Sequence, residues 1–208
     1  MSTQVAVIDY GMGNLHSIGK ALEHVGACVT ITAERDAVLA ADRVVFPGVG
    51  AIRDCMSELN RLNLAPVVRE AAAIKPFLGI CLGMQLMLDR SEENGGVDCL
   101  GLIHGEARHF GQHDEMNGLK IPHMGWNTAP PQREHPLWAD IDRDARFYFV
   151  HSYYAAPRDP AHIAAVTAYG VEFASVLARD NLFATQFHPE KSQKAGLQLL
   201  ANFLKWNP

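Results

Sequence analysis

The stretch Pro76-Phe77-Leu78-Gly79-Ile80-Cys81-Leu82-Gly83-Met84-Gln85 decides the fold of this chain. Its apolar run from Phe77 to Ile80 is typical of a buried strand, and the apolar pattern that begins at Leu82 predicts a helix with no loop between them. Cys81 lies at the junction, with one glycine two residues before it and another two residues after it. This is the spacing of a nucleophile elbow, with a thiol in place of the serine hydroxyl.

Cys81 has two interpretations. Most free cysteines are small buried apolar residues. The flanking glycines and the strand-to-helix turn favour a nucleophile instead, because a bulky side chain at either glycine position would crowd the turn. The positive end of the helix would also favour the thiolate over the thiol. A nucleophile needs a base, which another part of the chain must supply.

The stretch from Leu182 to Glu190 supplies a candidate base, because its apolar strand ends in His188-Pro189-Glu190. Side chains at positions i and i+2 of an extended chain point the same way, and Pro189 biases His188 toward extended geometry. One imidazole nitrogen can then face a thiol while the other contacts the carboxylate. Taken singly, His188 could be an ordinary strand-end histidine and Glu190 an acid at a helix start. Together with Cys81 they predict a catalytic triad.

The first 90 residues alternate short apolar strands with helical patterns. This alternation predicts an α/β fold with a central, mostly parallel sheet covered by helices on both faces. The predicted strands are Val5–Ile8, Cys28–Ile31, Val44–Phe46 and Phe77–Ile80, and the predicted helices are Asn14–His24, Ala51–Leu62, Pro66–Ile74 and one from the elbow to near Arg90.

The second half changes character after a polar loop from Ser91 to Asp98, because its strands follow one another without helices. This pattern predicts antiparallel strands added to the parallel sheet. A helix from Glu190 to Trp206 closes the chain, and without linkers or repeats we expect a single domain over residues 1–208. The predicted strands are Leu102–Phe110, Lys120–Trp126, Phe147–Val150, Ile163–Ala168, Phe173–Ala178 and Leu182–Gln186.

Composition excludes several classes of protein. A formal net charge of −5 without a Lys/Arg cluster argues against nucleic acid or an anionic membrane as the main partner. No stretch approaches the roughly 18 apolar residues of a membrane span, and the start of the chain lacks the pattern of a signal peptide. We therefore expect a cytoplasmic protein. In that reducing compartment the four cysteines (Cys28, Cys55, Cys81 and Cys99), which form no C-x-x-C pair, should be free thiols.

No cofactor or metal site is predicted. His104, His109 and His113 lie close in sequence, but their spacing does not fit a metal-binding helix, so scattered surface histidines are the better interpretation. The turn at Gly11 and Gly13 lacks the third glycine of a dinucleotide fingerprint and reads as a tight strand-to-helix turn. The segment Gly48-Val49-Gly50 fits either an anion-binding nest or simple punctuation before the next helix.

The motifs G-I-C-L-G-M-Q (79–85) and F-H-P-E-K (187–191) together resemble those of the class I, triad-type glutamine amidotransferases. Further stretches are similar to the glutaminase subunits of imidazole glycerol phosphate synthase, an enzyme of histidine biosynthesis, and the likeness runs from about residue 5 to 203. These stretches are Asp9–Asn14, Pro47–Gly50, Pro122–Asn127 and Phe149–Tyr154.

The resemblance implies an activity, site residues and a partner. Cys81, His188 and Glu190 would hydrolyse glutamine through a thioester, and the ammonia would pass to a (β/α)8-barrel cyclase subunit in a heterodimer. Oxyanion donors would come from Leu82 and from Gly48, Val49 and Gly50. Gln85 would contact substrate, with a core-filling polar residue as the alternative. The residues at the partner interface or the ammonia gate would be Asn14, Ser17, His123, Met124, Trp126 and Lys191. For Met124 and Trp126 burial in the core is the alternative.

Three rival functions remain at this stage. A glutaminase that feeds another synthase would share the triad, but it would not require the stretches at 122–127 and 149–154. A regulatory protein without activity would tend to lose a triad residue, and all three are present. A cysteine peptidase is disfavoured because nothing indicates a cleft for an extended peptide.

Overall fold

The structure is a computed structural model that describes residues 2–116 and 118–208. The α-helices are α1 (Leu15–His24), α2 (Arg35–Ala40), α3 (Ile52–Arg61), α4 (Ala65–Ile74), α5 (Leu82–Leu86) and α6 (Gln193–Lys205). The strands are β1 (Gln4–Ile8), β2 (Cys28–Thr32), β3 (Arg43–Gly48), β4 (Phe77–Cys81), β5 (Arg90–Ser91), β6 (Val97–Asp98), β7 (Gly105–His109), β8 (His123–Thr128), β9 (Arg146–His151), β10 (Tyr153–Pro157), β11 (Ile163–Tyr169), β12 (Val171–Arg179) and β13 (Leu182–Thr185).

The centre of the fold is a parallel sheet with the strand order β2-β1-β3-β4-β13. Its inner strands read as continuous apolar runs because both faces are covered. In β1, Val5 and Val7 pack with residues of α1 and α6, whereas Ala6 and Ile8 pack with residues of α2 to α5. The predicted mostly parallel sheet with helices on both faces is confirmed.

The second half of the chain extends this sheet with antiparallel strands, as predicted. Strand β12 pairs antiparallel with β13, and β10 and β7 follow outward in the same sheet. Strands β8 and β9 stand apart as a separate antiparallel pair. A single β-bridge between Tyr148 and His188 connects this pair to the segment that follows β13. Among the described residues, no helix is long and apolar enough to cross a bilayer.

The helix after Cys81 is shorter than the sequence pattern predicts. It ends at Leu86 instead of near Arg90. The backbone carbonyls of Leu86, Met87 and Leu88 accept hydrogen bonds from the segment 100–103. These contacts replace the i to i+4 bonds that would continue a helix. Because the donors lie in a distant segment, the periodicity of the local sequence does not predict where the helix ends.

The structure differs from the predicted pattern at three other places. The expected loop from Ser91 to Asp98 contains the short paired strands β5 and β6. Helix α2 was missed because it has only six residues, and β10 was missed although it joins β7 and β12. The remaining strands fall within a few residues of their predicted bounds, which is the usual precision for element ends.

Candidate active site

Cys81 lies at a strained turn between β4 and α5. Its backbone has φ 54° and ψ −112°, a region that residues with a Cβ rarely adopt. A Cβ added to Gly83 would lie 2.0 Å from the carbonyl oxygen of Phe46, so only glycine lets α5 approach β3 this closely. Helix α5 has just five residues, so the helix-dipole effect predicted for the thiol is smaller than a full-length helix would give.

Parallel pairing of β13 with β4 brings the two halves of the site together. Thr185 pairs in register with Ile80, so the segment that follows β13 runs beside Cys81. The Nδ1 atom of His188 lies 2.8 Å from Oε1 of Glu190, and these side chains are 4% and 3% exposed. Cys81 and His188 face the same cavity, while Glu190 lies behind the imidazole. The structure therefore brings the three predicted triad residues into one contiguous arrangement.

The His188 backbone is held on both sides. Its N–H donates to the carbonyl of Tyr148 at 2.9 Å, and its own carbonyl accepts from the buried hydroxyl of Ser192 at 2.6 Å. That hydroxyl also accepts from the N–H of Tyr148 at 3.0 Å. The imidazole is thus positioned by strand β9 as well as by Glu190.

The environment of His188 favours its charged form. Burial alone lowers the pKa of the imidazole, but hydrogen bonds with Cys81 and Glu190 raise it, and the net result is a pKa of about 10. Attraction to these two groups outweighs the loss of hydration. An imidazolium beside the thiol can stabilise a thiolate, which is the nucleophilic form of cysteine.

The raised pKa of His188 predicts a pH dependence of stability. A histidine pKa that rises from 6.5 to about 10 on folding gives stability that is complete below pH 6.5 and is lost as pH rises to 10. The free energy of unfolding, measured by urea denaturation across this window, should therefore fall further in the wild type than in His188→Ala. Parallel curves of unfolding free energy against pH for the two proteins would contradict a raised pKa of His188 in the folded state.

The cavity in front of Cys81 has a volume of about 400 Å³, which suits a small molecule. Most of the predicted oxyanion and substrate residues line it, namely Val49, Gly50, Leu82 and Gln85, together with Lys191. Gly48 pairs in register with Cys81 on the neighbouring strand. The Val49 carbonyl faces the Cys55 thiol at 3.5 Å, and the hydroxyl of Tyr10 donates to the carbonyl of Pro47 at 2.9 Å. These contacts with Tyr10 and Cys55 hold the backbone of the 47–50 segment in place.

Gln85 differs from its expected role. It is 2% exposed, and its amide nitrogen donates to the Tyr153 carbonyl and to Oε1 of Gln186, both at 2.9 Å. Its donor group is therefore committed to the protein. Its carbonyl oxygen has no hydrogen-bond partner among the described residues. These bonds favour the core-filling alternative for Gln85, and its contact with substrate stays a prediction because its unpartnered carbonyl oxygen is buried.

Most of the predicted partner-facing residues lie at the surface. Met124 is 61% exposed and Trp126 39%, and Asn14 and Lys191 are also exposed. Ser17 is half-buried, and its N–H donates to the Asn14 side chain at the start of α1.

His123 is the exception, because it is 3% exposed and contacts His151. His123 therefore does not lie on the exposed surface, and its role at the partner interface or ammonia gate stays a prediction. Strand β8 alternates its side chains, so His123 points inward while Met124 points out.

The structure adds residues that sequence reasoning missed. Gln186 is fully buried and its amide nitrogen lies 3.8 Å from the Cys81 sulfur. The carbonyl of Val150 lies 3.9 Å from the same sulfur, and His151 also lines the cavity. A signal for Gln186 was available, because it precedes His188 by two residues and extended geometry places both side chains on one face.

Two of the three histidines that lie close in sequence, His104 and His113, contact other side chains. His104 pairs with Asp89 at 3.1 Å, and His113 contacts the Tyr154 hydroxyl at 2.6 Å. Across residues 2–116 and 118–208, no three His, Cys, Asp or Glu side chains cluster as metal ligands would.

Comparison with known proteins identifies the family. Residues 6–206 match the family model described as glutamine amidotransferase class-I. The chain is 61% identical to imidazole glycerol phosphate synthase subunit HisH of Methylococcus capsulatus, over 99% of this chain and 98% of that protein. It is 57% identical to subunit HisH 1 of Pseudomonas aeruginosa, over 100% and 99%. The chain belongs to the class I glutamine amidotransferases and, within them, to the HisH family.

Solved structures of much lower sequence identity share the same fold. A PurLQS structure from Thermotoga maritima matches with a TM-score of 0.75 at 16% identity, over 99% of each chain. A putative GMP synthase protein from Thermoplasma acidophilum matches with a TM-score of 0.71 at 17% identity, over 99% of this chain and 94% of that one. At such low identity these matches bear on the fold alone.

Proposed function

We propose that this member of the HisH family hydrolyses the side-chain amide of glutamine with Cys81 as nucleophile. The single observation that carries the proposal is that Cys81 and His188 line one cavity while Glu190 lies behind the imidazole, with 2.8 Å between Nδ1 of His188 and Oε1 of Glu190. A thiolate attacks the amide carbon, and the imidazolium protonates the amide nitrogen, so that the C–N bond breaks and ammonia leaves. The carboxylate holds the imidazole ring in place. Water activated by His188 then hydrolyses the thioester and releases glutamate.

Each tetrahedral intermediate requires hydrogen-bond donors for its oxyanion. The backbone N–H of Leu82 is the first donor in this proposal, because it follows the nucleophile at the elbow. The segment Gly48-Val49-Gly50 supplies the second, since it runs beside Cys81 and carries two glycines. Losing one such donor costs about 3–4 kcal/mol of transition-state stabilisation. Gln85 supports the wall of the cavity through its hydrogen bonds to Tyr153 and Gln186.

The ammonia passes to a cyclase subunit in this proposal. The similar proteins named above are subunits of imidazole glycerol phosphate synthase, so this chain also assembles with a partner subunit. We infer that the partner is a (β/α)8-barrel cyclase in a heterodimer, and that Met124 and Trp126 anchor it. Exposed aromatic and methionine side chains are enriched at such interfaces. Asn14, Ser17 and Lys191 complete the partner-facing rim.

We expect glutaminase activity to be weak in the isolated chain and to rise when the cyclase and its nucleotide substrate are added. The reason is that the backbone donors of the 47–50 segment lie on a partly exposed turn, which a partner can order. Glutamate release should be measured with the chain alone, with the cyclase, and with the cyclase and nucleotide together. Comparable turnover in all three mixtures would contradict the partner's role. No release in any mixture would contradict the glutaminase assignment.

A further inference from the structure

A continuous line of hydrogen bonds connects strand β8 to the sulfur of Cys81. It passes through four buried side chains and one backbone carbonyl. The successive contacts are Asn127 Nδ2 to His123 Nε2 (3.3 Å), His123 Nδ1 to His151 Nε2 (2.9 Å), His151 Nδ1 to the Tyr153 carbonyl (2.8 Å), Gln85 Nε2 to the same carbonyl (2.9 Å), Gln85 Nε2 to Gln186 Oε1 (2.9 Å), and Gln186 Nε2 to Cys81 Sγ (3.8 Å).

The partners fix the direction of each bond in the histidine part of the line. Nδ1 of His151 faces a carbonyl oxygen, so it must carry the hydrogen, and Nε2 of His151 is then the acceptor. His123 must therefore donate from Nδ1, which leaves its Nε2 to accept from the amide of Asn127. Each histidine has a single tautomer that satisfies both of its neighbours.

Burial keeps both histidines neutral, which this directional arrangement requires. His123 is 3% exposed and His151 6%, among the rings of Phe110, Phe149 and Phe173. Burial lowers the pKa of His123 to about 4 and is the main reason that the pKa of His151 falls to about 3. Neither ring takes up a proton in the neutral pH range, so the bonds from Asn127 to the Tyr153 carbonyl keep their direction there, and that carbonyl accepts from both His151 and Gln85.

The inner end of the line orients the nucleophile. Gln85 uses its amide hydrogens on the Tyr153 carbonyl and on Oε1 of Gln186. Because Oε1 of Gln186 is occupied, its amide nitrogen must turn toward Cys81, where the sulfur is a weak acceptor. A donor at this position favours the side-chain rotamer of Cys81 that keeps the sulfur within its reach.

The outer end of the line lies on the strand that carries the exposed side chains Met124 and Trp126. Strand β8 belongs to the separate two-stranded sheet. Two side-chain hydrogen bonds attach it to β11 of the main sheet, from Asn127 Nδ2 to the Ala168 carbonyl (3.0 Å) and from Thr167 Oγ1 to the Thr128 carbonyl (2.8 Å). Strand β8 does not pair with β4, which carries Cys81, so the contacts from His123 to Gln186 connect β8 to the sulfur.

We propose that this line of hydrogen bonds is a positioning network that sets the orientation of the Cys81 thiol according to the placement of strand β8. The inference rests on the proposed function, because it assigns to β8 the partner's side of the molecule and to Cys81 the role of nucleophile. His123, His151 and Gln85 are positioning residues in this scheme, since they act on the sulfur through Gln186.

The test breaks the line at His123 and restores it in a matched variant. His123→Leu removes the donor to His151, whereas His123→Asn keeps an amide nitrogen near the position of Nδ1. The assembled enzyme should lose about tenfold in glutamine-dependent kcat with His123→Leu, with KM little changed, and alkylation of Cys81 by a chloroketone analogue of glutamine should slow equally. His123→Asn should recover most of both rates.

A control variant separates positioning from loss of packing. His135 contacts the rings of Phe183 and Trp206 outside the site, so His135→Leu makes the same chemical change in another aromatic cluster. It should leave the alkylation rate unchanged. If His123→Leu does not fold, Asn127→Ala removes the outer donor with less change in packing and should slow alkylation in the same direction. Unchanged alkylation in His123→Leu, or in Asn127→Ala where that variant replaces it, would overturn the proposal.

A double substitution tests whether both ends belong to one network. Gln186→Met removes the donor to Cys81 while keeping the length of the side chain. If the line acts as one unit, His123→Leu should add little to the loss already caused by Gln186→Met. Fully multiplicative losses would overturn the proposal even though each variant alone is slow. Failure of the proposed function is distinguishable, because the wild type would then release no glutamate in any mixture.

Discussion

Replacing Cys81 by alanine should abolish glutamine-dependent synthesis by the assembled enzyme and leave synthesis from added ammonium intact. The substitution removes the nucleophile, so no thioester forms and the loss in kcat should reach at least about 10⁴-fold. Added ammonium needs no thioester because it supplies the cyclase directly. Both rates should be measured on the complex, with product formation followed for glutamine and for ammonium in parallel.

Cys28→Ala is the matched control for this prediction. Cys28 is exposed on β2, at the far edge of the parallel sheet from β13. Its replacement should leave both rates unchanged. If Cys81→Ala also eliminated ammonium-dependent synthesis, Cys81 would have to be a structural residue whose loss damages the complex. If it retained glutamine-dependent synthesis, another residue would have to be the nucleophile.

Gly83→Ala should destabilise the fold severely. The added Cβ would lie 2.0 Å from the backbone oxygen of Phe46 and 3.0 Å from its carbonyl carbon. A backbone group in the middle of the sheet cannot rotate away as a side chain can, so β3 and α5 must separate. We expect a loss of about 3 kcal/mol or more in the free energy of unfolding. Urea denaturation followed by circular dichroism gives the measurement.

Gly19→Ala provides the comparison, because Gly19 is also a buried helical glycine. Its added Cβ would lie 3.4 Å from Cδ1 of Ile31, which is ordinary contact with a flexible side chain. The higher helix propensity of alanine should make this variant equal to the wild type or about 1 kcal/mol more stable. A Gly83→Ala protein as stable as Gly19→Ala would show that α5 does not pack against β3 as the structure has it.

Residue types and their spacing over short stretches of sequence predicted much of the fold and part of the candidate site. Glycines at 79 and 83 around Cys81 identified the elbow, because few residue types fit so tight a strand-to-helix turn. Continuous apolar strands alternating with amphipathic helices predicted the covered parallel sheet. His188 and Glu190 were predictable as a pair because two residues of extended chain place their side chains on one face.

Other features depend on partners far away in the chain. Helix α5 ends early because N–H groups of the segment 100–103 donate hydrogen bonds to the carbonyls at its end. No sequence pattern near Leu86 predicts that contact. His123 was expected at the partner interface or ammonia gate, and only the register of β8 with β9 shows that it pairs with His151 and points inward. Gln85 was expected to contact substrate, yet its amide nitrogen meets Tyr153 and Gln186, which are 68 and 101 residues away.

The sequence by itself determined the identity of the reactive groups, the elbow that presents the thiol, and the class of sheet that carries it. These depend on intrinsic backbone preferences and on side-chain periodicity, which are properties of a few neighbouring residues. Only the tertiary structure decided that β13 lies beside β4, so that His188 reaches Cys81, and that a line of buried amides and imidazoles connects β8 to the sulfur. Hydrogen bonds between distant segments depend on register and burial, and the packing of the whole sheet sets both.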